Sequence, residues 1–320
     1  MKLTNENFRG SWAGLPVAWT HDNLFDEHTY RGDVARCCTL GVPGIYSGGT
    51  TGEFYAMEFD EFQRVARATV EEAHAAGKPA MIGVSSTYTL GAMRRAAYAA
   101  EIGADAVQVA LPFWMEVPDA AVIQFFREVS EAAGHLPLSI YETLRAKKAL
   151  TLAQHHAIKA VLPNYLVVKS NTNTTGTTEE GCAALTELGI NVFVGEGSLW
   201  SKLGPYGVAG ACSAFVYYAP DMVLDLNRHL ASQNWEQVAK GSKKLELLLN
   251  FMIGTFIPRG YYDSALDRIG GVAGGVLRTS LNCRGPYTHG DEADVLLLKE
   301  WYQKNLPEVF ARIRENEAIP

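Results

Sequence analysis

The chain lacks several features that would mark other protein classes. Its formal net charge is −7, both signs are dispersed, and no block of five or six like charges occurs. Nucleic-acid binders carry a basic stripe, so the absence of one here excludes a nucleic-acid partner. The longest apolar runs, such as Leu247–Ile253, fall far short of the ~20 residues that cross a bilayer. No membrane partner is expected. The opening MKLTNENFRGSW has no apolar secretory core, and a cytoplasmic protein is expected. Cysteines are few: Cys37, Cys38, Cys182, Cys212 and Cys283. Their odd number and irregular spacing give neither a disulfide framework nor a zinc pattern. Histidines are scattered, and the adjacent His155 and His156 cannot share a helix face. Metal-assisted catalysis, which needs clustered ligands, is therefore disfavoured. No Gly-x-Gly-x-x-Gly follows the first strand, which removes the main sign of a dinucleotide-binding sheet. No metal and no cofactor is expected.

What is present is a repeated alternation. Apolar or β-branched runs occur at Leu15–Trp19, Gly44–Ser47, Ala80–Ser85, Ala106–Leu111, Leu136–Tyr141, Tyr165–Ser170, Asn191–Gly195 and Gly210–Phe215. Their character predicts strands buried on both faces, as in a parallel sheet. Amphipathic stretches separate them. Phe59–Ala76 begins acidic and ends at Gly77; Leu90–Ile102 precedes Gly103; Pro118–Ala133 stops at Gly134. Leu152–Val161 stops before Pro163, and Thr178–Leu188 stops at Gly189. Acidic starts and glycine ends are helix signals. Eight strand–helix units in some 215 residues fit a (β/α)8 TIM barrel, placed at residues 1–220. Residues 221–320 read as a C-terminal helical extension packed on the barrel or on a neighbouring subunit. Its helices are expected at Asp221–Leu230, Trp235–Phe251, Glu292–Lys304 and Pro307–Asn316, with a Gly- and Arg-containing stretch from Gly260 to Tyr287.

Active sites of such barrels lie at the C-terminal strand ends. The sixth strand, Leu166-Val167-Val168-Lys169-Ser170, delivers a lysine there. Burial would lower its pKa and leave an amine able to attack a ketone. The strand by itself favours a lysine that merely ends the strand and reaches solvent. The fifth strand ends in Tyr141, a phenol able to relay protons or simply to pack at the barrel mouth. After the second strand comes Gly48-Gly49-Thr50-Thr51-Gly52-Glu53. Gly49 permits close backbone approach, and the hydroxyls of Thr50 and Thr51 can hold a carboxylate.

On Gly49-Thr50-Thr51-Gly52-Glu53, Ile140-Tyr141, Val168-Lys169 and the turn Gly207–Ser213, the chain resembles the dihydrodipicolinate synthase and N-acetylneuraminate lyase family of class I aldolases. The resemblance covers essentially the whole chain. It implies that Lys169 forms a Schiff base with pyruvate or another 2-oxo acid and that Tyr141 shuttles protons. It also implies that Thr50 and Thr51 bind the carboxylate, with the Thr51 hydroxyl near Tyr141. The backbone from Gly210 to Cys212 would line the pyruvate end. A homotetramer built as a dimer of dimers is implied as well.

The departures concern the second substrate. Trp114, in Leu111-Pro112-Phe113-Trp114-Met115, stands where the synthase pattern has a second tyrosine, contributed across a dimer interface. Tryptophan donates one hydrogen bond and relays no proton. After Tyr141 the Asn-x-Pro-x-Arg pattern is lost, and Arg145 stands one position early as a candidate anion-binding residue beside Lys147. Phe113, Trp114 and Met115 predict a larger or more apolar distal pocket. The expected activity is an aldolase or lyase that makes or cleaves a C–C bond. The alternative is a 2-keto-3-deoxy sugar-acid dehydratase using the same Schiff base, and lysine-biosynthetic synthase activity is less favoured.

Overall fold

A computed structural model describes residues 2–317, excluding the side chains of 315–317. Eight parallel strands close into a barrel in sequence order, β1 pairing with both β2 and β8. The strands are β1 (Gly10–Gly14), β2 (Ile45–Ser47), β3 (Ala80–Gly83), β4 (Ala106–Val109), β5 (Leu138–Glu142), β6 (Tyr165–Ser170), β7 (Asn191–Phe193) and β8 (Val208–Ser213). The helices between them are α1 (Glu27–Thr39), α2 (Phe59–Ala75), α3 (Thr89–Glu101), α4 (Asp119–Ala132), α5 (Leu152–Val161), α6 (Glu179–Glu187) and α7 (Ser198–Leu203). After β8 follow α8 (Phe215–Tyr218), α9 (Pro220–Ala231), α10 (Trp235–Phe256), α11 (Asp263–Ala273), α12 (Glu292–Asn305) and α13 (Pro307–Glu317). Among the described residues, no helix is long and apolar enough to cross a membrane.

The core has two compartments. Side chains alternate across each strand. Inward-facing Trp12, Tyr46, Met81, Ala106, Val167, Phe193 and Ala209 fill the barrel, with Leu3 and Phe8 from the N-terminal segment. Outward-facing Ile45, Ile82, Val107, Ile140, Val168 and Val192 pack against the helices.

The first strand is not Leu15–Trp19 but Gly10–Gly14. Gly-Ser-Trp-Ala-Gly carries little strand signal, because its glycines serve neighbouring backbones. A Cβ on Gly210 would lie 2.2 Å from the Gly10 carbonyl oxygen. Leu15–Trp19 is apolar because it is buried past the strand end. There the Val17 carbonyl accepts a 2.6 Å hydrogen bond from Arg268 on α11. The last strand is also shifted, to Val208–Ser213, since Phe215 begins α8. Four helices lie where none was expected: the short α7 and α8, and the longer α1 and α11. The sequence of α1 is weakly amphipathic; Asp26 caps it by accepting from the Thr29 backbone N–H at 3.1 Å. The stretch Gly260–Tyr287 contains α11, whose Gly270 and Gly271 weaken the helical signal. A Cβ on Gly270 would lie 2.3 Å from the Tyr218 ring, so packing on α8 requires glycine there.

Candidate active site

Alternation on β5 and β6 points Ser139 and Tyr141, and Val167 and Lys169, toward the barrel interior. Tyr141 lies opposite Lys169 in the strand register. The Lys169 Nζ sits 4.1 Å from the centroid of the Tyr141 ring and 5.7 Å from that of Tyr46, both within cation–π range. The Tyr141 hydroxyl is 3.4 Å from Thr50 Oγ1 and accepts a 3.1 Å hydrogen bond from Asn171 Nδ2. Lys169 and Tyr141 therefore meet at the C-terminal mouth, with Thr50 and Asn171 fixing the phenol.

The threonine beside Tyr141 is Thr50, not Thr51 as expected. Thr51 Oγ1 instead donates to Asp267 Oδ2 at 2.6 Å, and Tyr218 donates to the other carboxylate oxygen at 2.6 Å. Consecutive residues in the turn after β2 face opposite ways, so only one of the two hydroxyls reaches the phenol.

The electrostatics also differ from expectation. Burial pushes the Lys169 ammonium toward its neutral form. Tyr141, Cys212, Asp263 and Asp267 together outweigh it, and the lysine pKa lies above its ordinary value. Burial likewise opposes ionisation of Tyr141. The Lys169 charge, the Thr50 hydrogen bond and Arg145 reverse that effect and bring the phenol below its ordinary range. The two groups are coupled: each favours the charged form of the other.

The remaining expected site residues divide. Gly49 lies against Tyr46, where a Cβ would come 2.4 Å from the hydroxyl. Gly210 sits in the barrel wall against Gly10. Cys212 lies next to the barrel interior, 3.6 Å from Gln108 Nε2, and burial raises its thiol pKa. Arg145 reaches the mouth, with Nη1 3.4 Å from Thr50 Oγ1 and 2.8 Å from Asp263 Oδ2. Trp114 does not line the cavity of its own chain. It is 74% exposed; its carbonyl accepts from Lys147, whose ammonium lies 5.9 Å from the indole centroid. Phe113 takes the inward place, its ring 5.8 Å from Phe54 in an edge-on contact. Pinning Phe113 inward turns the next side chain out.

Beside Tyr141 a cavity of about 250 Å³ opens, lined by aromatic groups including Phe54, Tyr55, Phe113, Tyr262 and Tyr287. Arg145 is the only charged residue among the described residues that line it. Sequence reasoning missed the share of α11 in this site. Asp263 and Asp267 are four residues apart, the spacing that puts side chains on one helix face. That spacing was the signal, hidden in a stretch with no evident helix.

Residues 7–294 match the Dihydrodipicolinate synthetase family. The chain belongs to that family. Among curated members, the 4-hydroxy-tetrahydrodipicolinate synthase of Methylobacterium radiotolerans is 34% identical over 141 residues, 44% of this chain and 46% of that protein. The matched stretch thus spans a little under half the length of that relative. The 4-hydroxy-tetrahydrodipicolinate synthase of Anaplasma marginale is 28% identical over 223 residues, 68% of this chain and 71% of its own. Among solved structures, YagE of E. coli K12 in complex with pyruvate superposes with a TM-score of 0.83 at 21% identity, covering 93% of this chain and 98% of that one. PhdJ bound to substrate intermediate gives 0.82 at 23% identity, covering 98% and 99%. A Ruminococcus gnavus sialic acid aldolase catalytic lysine mutant gives 0.81 at 17% identity, covering 99% of each chain. At these identities the structural likeness establishes the barrel fold of the family.

Proposed function

We propose that this family member is a class I aldolase or lyase in which Lys169 forms a Schiff base with pyruvate or another 2-oxo acid. The observation that carries the reading is the Lys169 Nζ held 4.1 Å from the Tyr141 ring centroid, with Thr50 and Asn171 on the phenol. In this reading the amine adds to the 2-oxo carbon, and the carbinolamine loses water while Tyr141 moves the proton. The imine then acidifies the neighbouring carbon, and the resulting enamine adds to an aldehyde. Cleavage is the reverse. Thr50 and the backbone from Gly49 through Thr51 hold the 2-oxo acid's carboxylate, with Asp267 anchoring Thr51.

The cavity beside Tyr141 supports an apolar second substrate. A dehydratase acting on a 2-keto-3-deoxy sugar acid would share the first half-reaction. Its hydroxylated chain would have Thr50, Thr143 and Arg145 as polar partners, but the predominantly aromatic lining supports carbon–carbon chemistry. The reaction in the curated relatives' names is less well supported, because Arg145 is paired with Asp263 and Trp114 replaces the second tyrosine. The proposed assembly is a homotetramer, a dimer of dimers, in the cytoplasm. Trp114 at 74% exposure and Met115 at 73% support a subunit contact on that face.

The test is incubation with pyruvate and borohydride, read by intact-mass and peptide mass spectrometry. A stable adduct mapped to Lys169 and absent from Lys169→Ala is expected. Absence of any adduct with pyruvate and a panel of 2-oxo acids would remove the reading.

A further inference from the structure

We infer that Asp263 sets the charge preference of the distal cavity: by occupying Arg145 it admits neutral second substrates and turns away anionic ones. The inference rests on the Schiff-base reading for the identity of the reaction, but its charge argument stands on the cavity alone.

Arg145 is the only charged side chain among the described residues lining the cavity, which is otherwise aromatic and aliphatic apart from Thr50 and Thr143. An unpaired guanidinium there would be a ready fork for a carboxylate. Asp263 Oδ2 already lies 2.8 Å from Nη1. An arriving carboxylate meets a neutralised pair and the field of Asp263 itself, whereas a neutral aryl or alkyl group meets neither penalty.

Asp263 is well placed for this because its backbone cannot easily move aside. It is the first residue of α11. The helix is held to the site by the buried Arg268–Glu53 pair and by Asp267 on Thr51. The preceding Tyr262 lines the cavity and packs edge-on against Tyr287 at 6.1 Å. A second reading exists for the residue: an acid in the first turn favours the helix dipole. That role would touch stability and leave substrate charge preference unmoved. The pair is partly open to solvent, with side-chain exposures of 52% for Arg145 and 42% for Asp263. Solvent screening therefore limits the expected effect to about tenfold.

The experiment compares wild type, Asp263→Asn and Asp263→Glu. The first readout is kcat/KM for pyruvate condensation with 4-carboxybenzaldehyde relative to benzaldehyde. The second is calorimetric binding of benzoate relative to benzamide, which needs no chemistry. Asp263→Asn is expected to raise both anionic-to-neutral ratios about tenfold, Asp263→Glu to keep them near wild type, and Arg145→Ala in the Asn background to abolish the gain. Unchanged ratios in Asp263→Asn, with a melting temperature close to wild type, would overturn the inference. Should Asp263→Asn be too unstable to assay, Arg145→Ala in the wild-type background decides: a loss of benzoate binding several-fold greater than that of benzamide would mean Arg145 was never neutralised. A benzoate gain without any borohydride-trapped adduct on Lys169 would uphold the charge argument and refute the Schiff-base reading separately.

Discussion

Arg268 and Glu53 form an ion pair of 2.6 Å in which both side chains are completely buried, across 215 residues of sequence. The pair ties α11 to the turn that carries Thr50 and Thr51. Glu53 also accepts from Trp19 Nε1 at 2.7 Å and from the Arg284 backbone N–H at 3.0 Å. It adopts φ +50°, a left-handed conformation that a non-glycine residue holds only when its surroundings require it. Glu53→Gln keeps the shape and leaves the Arg268 charge uncompensated. A loss of about 3 kcal/mol in urea-unfolding free energy is expected. A loss under about 1 kcal/mol would show that the pair is not what fixes the turn.

The Lys169–Tyr141 pair predicts a pH dependence. The nucleophile is the neutral amine, and the folded lysine pKa is raised, so protons are held more tightly than by an ordinary lysine. The initial rate of pyruvate adduct formation should therefore climb with pH throughout the range 7 to 10 without levelling. Were burial dominant, the rate would plateau well below pH 10. Tyr141→Phe removes the proton relay and should slow adduct formation about 100-fold or more at neutral pH.

Phe113 and Trp114 are neighbours with opposite surroundings. Phe113 lines the cavity, and Trp114 faces away from it. Phe113→Ala should raise KM for an apolar aldehyde about tenfold, the scale of losing one large buried apolar contact. Trp114→Ala should leave that KM within about twofold and shift the assembly toward smaller species in light scattering. The reverse pattern would put the indole in the site.

Asp267 predicts a stability change with pH. Its folded pKa is raised from 3.8 to about 7, because burial penalises the carboxylate more than the Thr51 and Tyr218 hydrogen bonds favour it. Above that value the ionised form is fully penalised in the fold. As pH falls from 7 toward 4, the folded state takes up the proton first and stability is gained. The urea midpoint of the wild type should rise more between pH 8 and pH 5 than that of Asp267→Asn, whose neutral amide can serve both partners at every pH. Equal pH profiles in the two proteins would contradict this account.

Much of the molecule was legible along the chain because it depends on local rules. Strand–helix alternation announced the eight-unit barrel, and β6 and α5 fall on their expected residues. Period-two alternation and strand-end position are enough to bring Lys169 and Tyr141 to one mouth, since neighbouring strands in a barrel share a register. What tertiary structure alone decided depends on contacts between distant segments. Gly10–Gly14 is a strand because Gly210 and Gly44 need its close approach, which no local propensity records. Thr50 rather than Thr51 faces the phenol because α11 claims Thr51 through Asp267. Arg145 is paired rather than free because the same helix brings Asp263 to it from more than a hundred residues away. A helix weakened by two glycines gives little signal of its own. Its place follows from packing on Tyr218 and from a buried charge pair, both of which exist only once the barrel has closed.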